Sequence, residues 1–547
     1  MPSIIVWLVF SCSVVELVNC ECTNVVKTNY GLVRGKTEKT RLRNETFLMY
    51  LGIPFAKPPV EKLRFRASQP PESWSGVLNA TEERSVCPQF DYFNKYHGDE
   101  DCLYLNVYSP IIHTKRPKLL SVAVYIYGGA FVGGSKDRDL YGPDYMIEQG
   151  ILVVVPNYRL GALGFICTPG LECNCGLKDQ NLALKWVQKN IRYFGGNPND
   201  VTLIGQSAGG ISAQLQMLSP MGKGLFHRVM IQSGSSLCVW GYQSPNEAES
   251  YAQKLADNIA GYPVPKSKIA AVLNSATAKE LVVGTRETST FTPHFRPTRE
   301  VRNEGNEIFL PDCPLNIMTS GRFQRRPVIM GFTKDEAISF ADGITILEDY
   351  LDAVTHNLTD SSNVISRIAG NVVQKITDHI SNFTTEELVN LATDLLFVSC
   401  IDLTQRIFTK ILNENVYYYY FDYAGPLNVH RDVYGVNLNG VGHGDDIGVE
   451  FYVKPLHPFP ENESLSSQMN QVAYNFTCLI TNFVKTGNPT PPHRMCSEDE
   501  WPDSREHGNM MNISTSLTVV PRQVNETAER NERLLYTYLK YFNGCSC

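Results

Sequence analysis

Ser207 stands between two glycines in Gly205-Gln-Ser-Ala-Gly209, directly after the apolar run VTLIG (201–205) and directly before the helical pattern ISAQLQML. A serine hydroxyl is a poor nucleophile until a base takes its proton. A sharp strand-to-helix turn lifts such a hydroxyl into the open, and small residues two places before and after it let strand and helix pass closely. The pattern therefore points to a nucleophilic serine for acyl transfer. The N–H of Ala208, at the start of the helix, is then placed to face a developing oxyanion.

Such a serine needs a base, and the base needs an orienting acid; in this architecture the order along the chain is serine, acid, histidine. Beyond the neighbouring His227, the candidate bases are His294, His356, His379, His430, His443 and His457. His443 stands out because GVGHGDD places it between Gly442 and Gly444, a loop that can bring an imidazole close to another backbone. For the acid, TKDEAIS (333–339) follows the apolar run PVIMGF. Glu336, with Asp335 as its adjacent competitor, thus leaves the C-terminal end of a strand, where functional groups gather in open α/β sheets. A third feature is the glycine-rich YIYGGAFVGGS (125–135). A phosphate loop fails on order, since Ser135-Lys136 reverses the required Lys-Ser/Thr. Further oxyanion donors are the other reading, because small residues let N–H groups approach a reacting carbonyl.

The elements that must position these residues alternate. Strand-like runs occur at 121–127, 151–158, 201–205, 228–234, 327–332 and 416–423, and helical patterns at 177–194, 247–261 and 464–487. Continuously apolar strands alternating with helices predict an α/β fold: a large, mostly parallel central sheet covered by helices on both faces. No linker divides the chain, and 262–315 reads as insertion material over one core. A single domain is expected over 21–547, after a signal peptide at 1–20 whose apolar run, Ile4 to Val15, is too short to span a bilayer.

The net charge of −7 disfavours nucleic-acid or anionic-membrane partners. No apolar run reaches the length of a membrane span. Sequons at Asn44, Asn79, Asn357, Asn382, Asn462, Asn475, Asn512 and Asn525 fit a secreted, extracellular glycoprotein. So do fifteen cysteines, of which Cys12 and Cys20 fall in the signal. Cys173, Cys175, Cys545 and Cys547 lack the histidine spacing of a zinc site, so no metal is expected. The terminal pair permits a linked homodimer as well as a monomer.

Over Val26 to Tyr541 the chain resembles the type-B carboxylesterase and cholinesterase family of α/β-hydrolases, through YLGIPFAKPPV, EDCLYLNVY, NYRLGALGF, GLKDQNLAL, GQSAGG, KDEA and GHGDDIG. GLKDQNLALKW and VYYYYFDYAGPLN resemble insect carboxylesterases in particular, and the GQSAG serine motif also fits juvenile-hormone esterases. The resemblance implies Ser207 as nucleophile, His443 as general base and acid, and Glu336 as the orienting carboxylate. It places oxyanion donors at Gly129, Ala130 and Ala208, and needs no cofactor. It also implies buried ion pairs Arg64–Glu100 and Arg159–Asp179 and a disulfide Cys87–Cys102. Partners for Cys238 and Cys400 are not evident from it.

The cation-binding features of cholinesterases are missing. The first disulfide loop holds Tyr92, Phe93 and Tyr96 but no tryptophan, and Gln206 replaces a glutamate. The expected function is thus hydrolysis of uncharged small-molecule esters. A juvenile-hormone-type hydrolase, a sequestering esterase and a non-catalytic adhesion protein are the alternatives.

Overall fold

The computed structural model describes residues 23, 25–91, 94–111, 118–287, 294–301, 307–340, 383–429, 435–454, 467–493, 496–505 and 507–541. The expected signal peptide, His356, His379, His430, His457, Asn357, Asn382, Asn462, Tyr92, Phe93, Cys545 and Cys547 lie outside the described residues.

The apolar runs build one large sheet. Its strands are β1 (Lys36–Lys39), β2 (Thr46–Pro54), β3 (Tyr104–Pro110), β4 (Leu120–Ile126), β5 (Leu152–Pro156), β6 (Gly196–Gln206), β7 (Arg228–Gln232), β8 (Val328–Thr333), β9 (Val416–Phe421), β10 (Met510–Ile513) and β11 (Leu517–Val520). In space they run β11-β10-β9-β8-β7-β6-β4-β5-β3-β2-β1. Pairing is parallel from β5 through β4, β6, β7, β8 and β9 to β10, and antiparallel at both margins. Every residue of β5 and β8 is buried. Successive side chains on a strand face opposite ways, so both faces of the sheet are covered. The expected architecture is observed.

The covering helices include α1 (Cys175–Asn190), α2 (Ala208–Leu218), α3 (Pro245–Ala260), α4 (Ala278–Glu287), α5 (Ser399–Ile411), α6 (Ser467–Thr486) and α7 (Glu526–Tyr541). α1 is shorter than its apolar pattern, because the last turn tightens to a 3₁₀ helix over Ile191–Phe194 and stops at Gly195, φ 91°. α3 starts on a reciprocal cap: Ser244 Oγ accepts from Glu247 N–H while the Glu247 side chain accepts from Ser244 N–H. The stretch 262–315 carries α4, which forms part of a cavity wall.

Arg159 and Asp179 are fully interior. Arg159 Nε donates to Asp179 Oδ2 at 2.8 Å and its Nη2 to Oδ1 at 2.6 Å. Arg64–Glu100 also forms, with Nε to Oε2 at 2.7 Å, but it is only part-buried. Cys87 pairs with Cys102 as implied. Three further pairs were not legible: Cys167–Cys173, Cys238–Cys400 and Cys478–Cys496. Cys238–Cys400 joins residues 162 apart in sequence, a closure of about 5 kcal/mol by loop entropy. Cys313 is also disulfide-bonded, and Cys175 is free and buried.

Of the sequons, Asn44, Asn79 and Asn525 are exposed, and Asn525 Nδ2 donates to Asp394 Oδ2 at 2.7 Å. Asn512 is half-buried within β10. Asn475, on α6, is only 8% exposed, and a buried side chain leaves no room for a glycan, which corrects the expectation at that position. The described residues contain no helix long and apolar enough to cross a membrane.

Replacing Asp179 with alanine strands the Arg159 charge in the interior. We expect urea unfolding to show a loss of about 3–5 kcal/mol, whereas Lys266→Ala, which breaks an exposed pair with Glu249, should change stability by less than about 1 kcal/mol.

Candidate active site

β6 ends at Gln206 and α2 begins at Ala208, so Ser207 alone makes the turn, at φ 58° and ψ −125°. That backbone is costly for a residue with a Cβ. It is held by Ser207 N–H donating to the Gln232 carbonyl of β7 at 2.8 Å and by Ile211 N–H donating back to the Ser207 carbonyl at 3.0 Å. A Cβ on Gly205 would lie 2.1 Å from the Gly209 carbonyl oxygen, and one on Gly209 would lie 1.9 Å from the Ile126 carbonyl oxygen. Both glycines are therefore demanded by backbone meeting backbone. A serine preceding a helix ordinarily caps it through its hydroxyl. Ser207 makes no such bond, so its hydroxyl is not committed to the helix.

His443 Nδ1–H donates to Glu336 Oε2 at 2.6 Å, and both side chains are buried. The other Glu336 oxygen accepts from Thr333 N–H at 2.8 Å, at the end of β8. The His443 N–H donates to the Glu336 carbonyl at 3.1 Å, and Ser339 Oγ donates to the His443 carbonyl at 3.2 Å. Ring and carboxylate are thus fixed by side-chain and backbone bonds alike. Asp335 does something else: its Oδ2 accepts from Val441 N–H at 3.0 Å and its own N–H donates to the Val441 carbonyl at 2.9 Å. It pins the loop that carries His443, and Glu336 holds the ring.

Of the other described histidines, His294 and His227 are engaged elsewhere, and His97 lines the cavity described below. His294 stacks on Tyr251 with ring centroids 4.0 Å apart. Burial, with Arg296 and Lys254 nearby, pushes its pKa down to about 4. His227 Nδ1 accepts from Val201 N–H at 3.1 Å.

Ser207 and His443 border one cavity of about 590 Å³, together with Gln206, Gly128, Gly129 and Ala130. The chain turns sharply at Gly129 (φ 108°), Ala130 (φ 52°) and Phe131 (φ 62°). A Cβ on Gly129 would meet the Gly133 carbonyl oxygen at 2.3 Å. Ala208 is the first residue of α2, where a backbone N–H has no intrahelical acceptor. Lys136 is fully buried against Glu83 and Asp137, so its ammonium is turned away from the turn, against the phosphate-loop reading. Phe90 of the first disulfide loop, Leu140, Val282, Val429 and Ile447 make the walls largely apolar, with Asp91, Asp137 and Arg286 also among the lining residues. No group of histidine, cysteine and acidic side chains among the described residues is arranged to hold a metal.

Sequence reading missed the packing behind the His443 ring. Phe397 lies 4.9 Å and Trp240 6.4 Å from the His443 ring, centroid to centroid. Phe397 belongs to a π-helical turn, Asp394–Val398, and Trp240 Nε1 donates to the Leu396 carbonyl of that turn at 2.9 Å. Cys238–Cys400 ties the same two segments together. No periodicity signals a π turn.

Also missed was a buried acid pair. Gln232 Nε2 donates to Asp446 Oδ2 at 3.2 Å and to Glu450 Oε2 at 2.8 Å, and Tyr419 Oη donates to Asp446 Oδ2 at 3.0 Å. Burial, reinforced by the Glu336 charge and only partly offset by Tyr419 and His443, pushes the Asp446 carboxyl up to about 7. Burial also raises Glu450.

Comparison with known proteins was made against this geometry. The carboxylesterase family model matches residues 22–532. The chain is 38% identical over 332 residues to juvenile hormone esterase of Tribolium castaneum, covering 57% of this chain and 55% of that protein. It therefore spans little more than half the length of that relative. It is 34% identical over 510 residues to venom carboxylesterase-6 of Apis mellifera, covering 87% of each. Among solved structures, juvenile hormone esterase from Manduca sexta with OTFP covalently attached superposes with a TM-score of 0.82 at 28% identity, covering 94% of this chain and 99% of that one.

The Asp446 carboxyl carries a stability consequence. Below about pH 4 it is protonated folded or unfolded; between about pH 4 and about 7 the folded chain keeps a proton that the unfolded chain has lost. Stability therefore falls as pH rises through that window, and above it the full penalty remains. Asp446→Asn imitates the protonated form. Its melting temperature should fall less between pH 5 and 8 than that of the parent protein, the difference amounting to at most about 4 kcal/mol at pH 8. Parallel pH profiles would show that Asp446 is not the group responsible.

Proposed function

Since the chain belongs to the carboxylesterase family, we propose that it is a secreted serine ester hydrolase acting on uncharged carboxylic esters. One observation carries the reading: Glu336 holds the His443 ring through Nδ1 while Ser207, on a strained turn, borders the same cavity. A carboxylate only accepts hydrogen bonds. The proton of the neutral ring is therefore on Nδ1, and Nε2 keeps the lone pair a base requires.

In the first step Ser207 Oγ attacks the ester carbonyl carbon, and its proton passes to His443 Nε2. Glu336 stabilises the resulting imidazolium. The carbonyl electron pair moves onto oxygen, where the N–H groups of Gly129, Ala130 and Ala208 receive it, each contributing up to about 3–4 kcal/mol. The intermediate collapses, the C–O bond to the alcohol breaks, and the alcohol leaves with the proton from Nε2. Water then attacks the acyl-enzyme by the same route, releasing the acid and restoring Ser207. The steps use only side chains and backbone of this chain.

The mainly apolar wall and the neutral Gln206 beside the serine favour an uncharged, lipophilic ester. The likeness to juvenile hormone esterases of Tribolium castaneum and Manduca sexta supports the narrower reading of a juvenile-hormone-type ester. Secretion is supported by the apolar run at the start of the chain and the disulfides.

Ser207→Ala should lower kcat/KM on a nitrophenyl ester by about 10⁴-fold or more, with the fold retained. In a panel of esters, a juvenoid should exceed a choline ester in kcat/KM. Turnover by Ser207→Ala at the parent rate would remove the assignment, and a preference for the choline ester would remove the substrate class.

A further inference from the structure

Gln206 precedes the serine, is 3% exposed, and places its amide nitrogen 3.3 Å from His443 Nε2. With the ring proton on Nδ1 against Glu336, Nε2 is an acceptor, so the Gln206 N–H₂ donates to it. The amide lies in a slot left open by two glycines. A Cβ at Gly128 would come within 2.7 Å of Gln206 Oε1, and one at Gly444 within 3.6 Å of its Nε2. A terminal amide turns end for end about one soft torsion without displacing the rest of the side chain.

Accepting the proposed Ser207–His443–Glu336 mechanism, we propose that Gln206 is a positioning residue that serves both protonation states of the base. In the resting enzyme its N–H₂ donates to the Nε2 lone pair and steadies the neutral ring, and it releases that pair before the Ser207 proton passes to Nε2. When Nε2 has taken the Ser207 proton, the amide turns and its Oε1 accepts from the imidazolium N–H. A carboxylate could make only the second contact, and an apolar side chain neither.

Charged and aromatic groups near the ring have partners of their own. Glu336, from the end of β8, contacts Nδ1. Asp446 and Asp445 lie on the ring's own loop, Asp446 bonded to Gln232 and Tyr419 and Asp445 to Gly442 N–H. Asp335 is bonded to the backbone at Val441. The π turn and Trp240 present aromatic rings, and Asp394 of that turn is bonded to Asn525. Gln206 is placed against Nε2, the nitrogen that takes the proton in the proposed mechanism.

The test compares Gln206→Glu and Gln206→Met with the parent. In Gln206→Glu the imidazolium gains a carboxylate partner, so the acid limb of the kcat/KM profile should move up by about one pH unit or more. The His443 ring resonance, followed by NMR without substrate, should titrate with it. In Gln206→Met, of similar length, kcat should fall about tenfold with KM little changed. An acid limb and ring titration unmoved in Gln206→Glu, or an unchanged kcat in Gln206→Met, would overturn the role. Ser207→Ala separates this from the broader mechanism: if it is inactive while the Gln206 variants behave as the parent, only the Gln206 assignment fails, whereas activity in Ser207→Ala removes the mechanism itself.

Discussion

The site depends on a close crossing of backbones around a single strained residue. Ser207 adopts φ 58° because β6 must end and α2 begin within one residue, and the two elements pass so near that no side chain fits at Gly205 or Gly209. The strain is held by the Gln232 carbonyl of the neighbouring strand and by the first turn of α2. Through Gln232 the same strand end also supports the buried acids Asp446 and Glu450. Ser207, the His443 loop and the acid pair thus share one support, and a disturbance of the parallel sheet there reaches all three.

A second constraint is electrostatic. Ionisable groups cluster behind the His443 ring in a water-poor interior, and each needs a partner or a proton. Two N–H donors, from Thr333 and His443, meet the two oxygens of Glu336. Asp446, deeper and with Glu336 close by, is pushed toward the protonated form. Neighbouring carboxyls thus sit in different settings: Glu336 holds the His443 ring, while burial raises Asp446 and Glu450. For Asp446 the shift follows first from burial and then from the neighbouring Glu336 charge.

Much of this was legible in the sequence, for definable reasons. The strands read as apolar runs because a sheet covered on both faces admits no polar alternation, and β5 and β8 are buried throughout. GQSAG was legible because backbone contact tolerates only glycine at two fixed places. Glu336 and Asp335 could not be separated by residue type alone, since both are acids leaving the same strand; one reaches His443 Nδ1 and the other Val441 N–H. Cys238–Cys400 was hidden because the two residues meet only when segments 162 residues apart are packed. Phe397 was hidden for the same reason, with the added irregularity of a π turn. The burial of Asn475 escaped because a sequon carries no information about which side of a helix it occupies.

The most direct measurement is the mass of the acylated or phosphonylated protein. Treated with a fluorophosphonate ester, the parent chain should gain one adduct, located by peptide mapping on Ser207 in GQSAGG, and Ser207→Ala should gain none under the same conditions. An adduct that persists in the alanine variant, or that maps to another residue in the parent, would contradict the account.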